Sequence, residues 1–255
     1  LGDSEFNRQE LQALGFKKTD VLPVIPNFDH LTGEPDWSLV SQFNDAWTNI
    51  LFVGRVIPNK RIEDLIKFFH AYRSTHNSRS RLIIVGSYVG FEDYLMSLYD
   101  LAARLRTPEV HFVGQATNAE LAAFYNIADV FLCASEHEGF CVPLVEAFHE
   151  RVPVIAYAAT AVPGTMDGGG VLYNEKDPSM VAALIDAIMS NQTLCETVLD
   201  AQDTALDRFL NHDFSSTLLR FVNQILQGPR LPPWEISGDF WRQFAADRDV
   251  LKHDR

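Results

Sequence analysis

Cysteine is scarce: the chain holds three, Cys133, Cys141 and Cys195, an odd number without a C-x-x-C pair. That argues against a disulfide framework and against a cysteine zinc site, and points to a reducing compartment. Basic residues are also few, 21 Lys and Arg against 34 Asp and Glu, for a formal charge of −13. A surface that tracks nucleic-acid phosphates needs a basic stripe, so general nucleic-acid binding is excluded. No apolar run approaches the roughly 18 residues that a membrane span needs, and no charged-then-apolar leader pattern opens the chain. Internal repeats and low-complexity segments are missing as well. The expectation is a soluble, cytoplasmic globular protein, for which 47% hydrophobic residues is ordinary.

Two phosphate-binding fingerprints are likewise missing. Gly86-Ser-Tyr-Val-Gly90 follows an apolar run but is a poor match to G-x-G-x-x-G, and no well-placed G-x-x-x-x-G-K-[ST] occurs. Dehydrogenase and P-loop readings therefore recede. Asp247 and Asp249 have the spacing of a metal-binding pair but lie in a charged tail, where a solvated helix face is the better reading. His111 and His149 have no convincing partners and read as structural, and the other histidines carry no ligand or triad spacing.

What is present is a regular alternation. Apolar strand candidates at Ile50–Val53, Leu82–Val85, Val110–Val113, Val130–Cys133, Val154–Tyr157 and Val171–Tyr173 alternate with helical segments near 62–76, 91–105, 118–126, 143–150 and 178–190. Alternation of this kind predicts an α/β fold with a doubly wound parallel sheet, Rossmann-like. Before it, Ser4 caps a helix that runs to Leu14 and ends at Gly15. Val21–Asp29 reads as a short strand broken by prolines, and the segment to about Asp45 as linker. After it, Thr193–Phe209 and Phe214–Leu226 read as helices. The tail carries Trp234, Phe240, Trp241 and Phe244, the aromatic face of a last helix.

Two stretches bear chemistry. The first is Val53-Gly-Arg-Val-Ile-Pro-Asn-Lys60, where Gly54 lets the backbone turn and Arg55 and Lys60 place two cations at the carboxyl end of a strand. Arg clamps phosphate oxygens and Lys adds a point charge, so the pair suits a diphosphate. Alternatively Lys60 and Arg61 merely precede a helix, which sits badly with its dipole unless an anion pairs with them. The surrounding positive region, from Arg55 to Arg81, is in part a solvated helix face at Lys67, Arg73 and Arg79. The second stretch is the loop Ser135–Cys141 between a strand and a helix expected to begin at Pro143. Glu138 lies in the loop, and Glu146 is expected in the first turn of that helix. Free N–H groups there suit a phosphate, and carboxylates suit sugar hydroxyls. Acids near a helix start also serve merely to offset its dipole, and both readings stay open on this stretch alone.

Taken in order and spacing, Gly54-Arg55, Lys60, the run Ala128–Ser135 and Glu138-Gly-Phe-x-x-Pro-x-x-Glu146 resemble the donor-binding, C-terminal half of GT-B-fold retaining glycosyltransferases of family 4. Two glutamates separated by seven residues are that family's signature. Val152–Ala156 resembles its following strand and Pro26-Asn27-x-Asp29 its interdomain linker, so the likeness runs from about Val21 to Ser190. The resemblance implies that Arg55 and Lys60 hold the donor diphosphate and that Glu138 binds the donor sugar. It places the backbone at Gly54, Gly86, Gly139, Phe140, Cys141 and Val142 against donor oxygens, and Glu146 on the ribose. It implies a UDP- or GDP-linked sugar as donor, no cofactor, no obligatory metal, and retention of anomeric configuration. Envelope polysaccharide or glycolipid assembly, a glycan or glycolipid acceptor and peripheral association with the inner membrane face are further implications at family level, although no basic amphipathic helix is visible.

Within that frame residues 1–24 are expected to be the end of an N-terminal acceptor domain, 25–48 the linker, 49–230 the donor domain and 231–255 a helical tail. Trp241 and Phe244 are then expected to be partly uncovered, and the chain alone to bind donor without transferring sugar. Two positions depart from the family pattern. Cys141 stands where glycine is frequent, and Ala159–Met166 lacks the usual paired glycines and the glutamate after Pro163. A non-catalytic nucleotide-sugar-binding domain and a GT-B phosphorylase or epimerase remain alternatives.

Overall fold

The computed structural model describes residues 1–228. Six strands, β1 (Thr48–Val53), β2 (Ser80–Val85), β3 (Val110–Gly114), β4 (Val130–Cys133), β5 (Val154–Tyr157) and β6 (Val171–Tyr173), form one parallel sheet in the order β3-β2-β1-β4-β5-β6. This is the doubly wound order. The direction in which strands are added reverses between β1 and β4, which pair in parallel at Ile50 with Val130 and Leu51 with Phe131.

The helices are α1 (Glu5–Ala13), α2 (Trp37–Phe43), α3 (Ile62–Thr75), α4 (Glu92–Arg104), α5 (Asn118–Ile127), α6 (Val142–His149), α7 (Val162–Met166), α8 (Pro178–Ser190), α9 (Gln192–Leu210) and α10 (Phe214–Gln227). Alternate strand residues feed two cores, as the two-residue period of a strand requires. Leu51, Ile83, Phe131 and Val154 face a cluster with α5, α6 and α9, while Ile50, Leu82, Leu132 and Ile155 face one with α3, α4 and α8. Both faces being covered explains why the strands read as continuous apolar runs.

Local chemistry sets the helix starts. Thr117 and Glu120 form a reciprocal capping box on α5. Asp177 caps α8, whose first residue is Pro178. No neighbouring side chain caps α3; instead the Tyr94 hydroxyl on α4 accepts from the Ile62 N–H at 3.1 Å and donates to Glu63. Gln202 on α9 is fully buried, accepting from Val154 N–H and donating to the Val152 carbonyl, which fixes α9 beside β5.

Several expectations are corrected. Val21–Asp29 forms no strand: Val21 makes an isolated bridge to Gly2, because the prolines at 23 and 26 remove ladder donors. The expected linker contains α2, capped by Asp36. The loop Ala159–Met166 contains α7, a short helix beginning beside Pro163. The chain divides into two compact units, Leu1–Phe214 and Ser215 onward. The aromatic tail, Asp247, Asp249 and the 231–255 segment lie outside the described residues.

Two glycines close the ends of β1 and β2. Gly54 and Gly86 adopt φ of 155° and 149°, and a Cβ on Gly86 would stand 1.9 Å from the Gly54 carbonyl oxygen. Backbone strain and overlap then add, so Gly86→Ala is expected to destabilise the fold by about 3 kcal/mol or more. Urea unfolding of the variant checks this.

Candidate functional site

At the topological switch point the carboxyl ends of β1 and β4 lie side by side, the place where open α/β sheets take ligands. From β1 the chain turns at Gly54, passes Arg55 and makes a 3-10 turn, Pro58–Lys60. From β4 it enters the loop 135–141. The two loops are stitched by the Glu136 N–H donating to the Asn59 carbonyl at 2.9 Å, and by Asn59 Nδ2 donating to the His137 carbonyl. Lys60 Nζ then meets Glu138 Oε1 at 2.5 Å. Glu138 is only 7% exposed. A carboxylate this sheltered needs a charged partner, and removing one member of such a pair leaves the other uncompensated.

The neighbouring charges are balanced in the same way. Arg61, left-handed at φ 53°, reaches Glu63, Asp64 and Glu136. Lys176, after β6, bridges Asp64 and Glu136 at 3.1 and 3.0 Å. Burial pushes the Asp64 carboxyl up, but hydrogen bonds from Lys67 and Lys176 outweigh it and hold the group below its usual range. The positive region expected between Arg55 and Arg81 is therefore largely neutralised within the chain. Arg73 donates to the Ser80 carbonyl, and Arg81 is buried on Asp45, Asn49 and the rings of Phe43 and Trp47. Arg55 and Arg79 differ: both are exposed with no ion-pair partner among the described residues, and Arg55, at the end of β1, lies over the Phe91 ring, 5.7 Å from its centroid.

The loop is held from both sides. Thr160, left-handed at φ 49°, accepts from the Glu138 N–H and donates to the Glu138 carbonyl, and Thr165 on α7 donates to the Phe140 carbonyl. The segment that departs from the family pattern is thus the clamp on Glu138 and Phe140. Cys141 occupies the position before α6 at φ 72°, with no side-chain capping bond. The N–H groups of Phe140, Cys141 and Val142 donate to no acceptor among the described residues, as befits a helix start. On the outer side α1 lies against the loop: the Phe6 and His137 rings meet edge-on, and Asp3 Oδ2 is 3.3 Å from where a Cβ on Gly139 would be.

Glu146 is the main correction. The helix begins at Val142, with Pro143 second, so Glu146 is its fifth residue and lies beyond the first turn, where no acid sits. It points inward at 6% exposure, accepting from the Tyr125 hydroxyl at 2.8 Å, with His30 Nε2 at 2.8 Å from its other oxygen. Burial and the Glu146 charge keep the Tyr125 hydroxyl protonated. Sequence reasoning missed Tyr125 and His30, 21 and 116 residues away, and no spacing rule could have found them. His149, read as structural, stacks on Phe28.

Two outcomes are expected. Lys60→Met strands the Glu138 charge and costs about 3 kcal/mol, whereas Lys60→Met with Glu138→Gln recovers most of it; a double-mutant cycle by denaturant unfolding measures the coupling. For Asp64 the folded value is depressed, so its stabilisation is complete above the unfolded value of about 3.9 and is lost as pH falls through the folded one. Below about pH 4, Asp64→Asn should flatten the loss of stability with falling pH, read as the unfolding midpoint.

Comparison with known proteins agrees with this fold. Residues 36–202 match the family model described as Glycosyl transferases group 1. O-antigen chain mannosyltransferase B of Escherichia coli is 26% identical over 189 residues, covering 71% of this chain and 49% of the relative. A GDP-mannose-dependent alpha-mannosyltransferase of Mycolicibacterium smegmatis is 36% identical over 107 residues, covering 41% and 24%. In fold, sucrose-phosphate synthase from Thermosynechococcus elongatus superposes with a TM-score of 0.72 at 22% identity, over 89% of this chain and 58% of that one. Anabaena HepE in complex with UDP and glucose gives 0.71 at 21%, over 88% and 62%. The chain spans about half the length of the Escherichia coli relative and less of the other. Because the family match takes in all six strands and both switch-point loops, the chain belongs to the glycosyl transferases group 1 family.

Proposed function

We propose that the chain carries the nucleotide-sugar donor site of a retaining, metal-independent hexosyltransferase of family 4, acting in polysaccharide or glycolipid assembly. The observation that carries this reading is the Lys60–Glu138 pair at the switch point, beside three N–H groups free to meet oxygens at the start of α6. In the proposed site Lys60 and Arg55 take the diphosphate of a UDP- or GDP-linked sugar. Glu138 accepts sugar hydroxyls, and the N–H groups of Phe140, Cys141 and Val142 meet sugar or phosphate oxygens. The free-state ion pair is then a resting arrangement: donor binding exchanges the ammonium for phosphate and the carboxylate for hydroxyls, so neither charge is left bare.

Chemistry follows from charge. As the sugar–phosphate bond breaks, negative charge collects on the leaving diphosphate, and preorganised Lys60 and Arg55 stabilise it. Glu138, committed to hydroxyls, is not assigned as a nucleophile; the acceptor attacks from the face of the leaving group, which retains configuration. Glu146 has two hydrogen-bond partners in the chain, and a carboxylate offers about four acceptor sites, so capacity remains for ribose hydroxyls. Acceptor recognition is assigned outside this segment, in keeping with its share of the relatives' length.

Calorimetric titration with UDP, GDP, ADP and their sugar conjugates tests the reading. Binding of one nucleotide series is expected, with little transfer by this chain alone. Exposed Arg55→Ala should weaken that binding about tenfold, roughly 1.4 kcal/mol, without altering the fold. Silence toward every nucleotide, or unchanged affinity in the variant, would sink it.

A further inference from the structure

Cys133 and Cys141, eight residues apart and with thiols that the proposed donor chemistry does not use, are brought together beneath the loop. Their Sγ atoms and a Glu138 carboxylate oxygen all lie within 4.8 Å of one another. Cys133 ends β4 and is 1% exposed; Cys141 is half-buried at the start of α6. We propose that Cys133 Sγ, Cys141 Sγ and the Glu138 carboxylate form a binding site for a thiophilic divalent cation of the zinc class, and that its occupation competes with the donor sugar.

Donor type and size both fit. Two thiolates are the soft ligands such cations select, and zinc also accepts a carboxylate oxygen. Metal–sulfur bonds of about 2.3 Å and metal–oxygen bonds of about 2.1 Å need ligand separations of roughly 3.5–3.8 Å, a contraction within side-chain reach. The three residues come from a strand end, a loop and a helix cap that are already fixed. Thr160 and Thr165 hold the loop backbone, and the Tyr173 hydroxyl donates to the Cys133 carbonyl at 3.0 Å. Ser135 Oγ accepts from Cys133 at 3.4 Å and would be released.

Cys141 also holds a left-handed backbone conformation, φ 72°, that strains a non-glycine residue, so a glycine there relieves it. The neighbouring Cys141 thiol holds Cys133 below its ordinary range, while the Cys133 thiol and burial push Cys141 well above. Cation binding expels the thiol protons to solvent and leaves a fourth position for water. It also places positive charge beside the Lys60 ammonium, which now shares Glu138 at 2.5 Å. Lys60 must withdraw, and the carboxylate is no longer free for hydroxyls. Competition therefore rests on the proposed donor site; cation binding itself does not.

The test uses the full chain with Cys195→Ser, leaving only these two thiols. Cadmium titration should give one equivalent bound per chain with a thiolate-to-cadmium charge-transfer band. Cys141→Gly, which removes one thiol and relieves the backbone, should fold normally, lose the band and bind cadmium at least 100-fold more weakly. No band in the parent, or the same band and affinity in Cys141→Gly, overturns the site. In a second arm, calorimetry with UDP, GDP and their sugar conjugates is repeated with one equivalent of zinc or cadmium. Donor binding weakened tenfold or more supports competition. Unchanged donor affinity overturns it, as does a chain that takes cadmium but binds no nucleotide, an outcome that rejects the donor reading while leaving the cation site standing.

Discussion

The pairing of β1 with β4 is the constraint on which the rest depends. These strands are separated in sequence by two further strands, yet they lie next to each other in the sheet, and the chain leaves them in opposite directions. Their carboxyl ends therefore lie at the point where open α/β sheets take ligands. Lys60 and Glu138, 78 residues apart, meet there. A buried carboxylate without a cation would carry a large desolvation cost, so the ion pair and the strand pairing require each other.

Around that pair the charges form closed groups. Arg61, Lys176, Asp64 and Glu136 tie the start of α3 to the loops after β4 and β6, while Thr160 and Thr165 grip the loop backbone from α7 and the turn before it. Two cations at the start of α3 oppose its dipole, and the cost is offset by carboxylates of the helix itself and of the facing loop. Arg55 stays outside this balance. A cation lying over an aromatic ring and left without a carboxylate, at the end of β1, is well placed to meet an incoming anion.

Cysteine at 141 shows how a departure from a family pattern acquires meaning. Glycine would suit the left-handed cap, and a cysteine there has a conformational cost. The same backbone turn that creates the cost carries the thiol back to Cys133 and Glu138. The absence of a C-x-x-C pair argued against a cysteine metal site because short spacings bring thiols together within one turn. A strand–loop–helix excursion of eight residues does so by another route.

The sequence by itself determined the parallel α/β sheet, its six strands, most helices and the switch-point loops, because strands buried on both faces must be apolar throughout and their connections must be polar. It also marked Arg55, Lys60 and Glu138, charged residues at the carboxyl ends of strands, where such sheets take ligands. Only the tertiary structure decided what each charge faces. Glu146 turned inward to Tyr125 and His30, Arg81 was buried in an aromatic box, and most of the apparent positive region was cancelled. α2 and α7 were invisible because seven and five residues show too little periodicity. Hydrophobic period is a local quantity that a linear sequence displays, whereas hydrogen-bond partners are set by which distant segments the sheet brings within 3 Å, and no spacing along the chain records that.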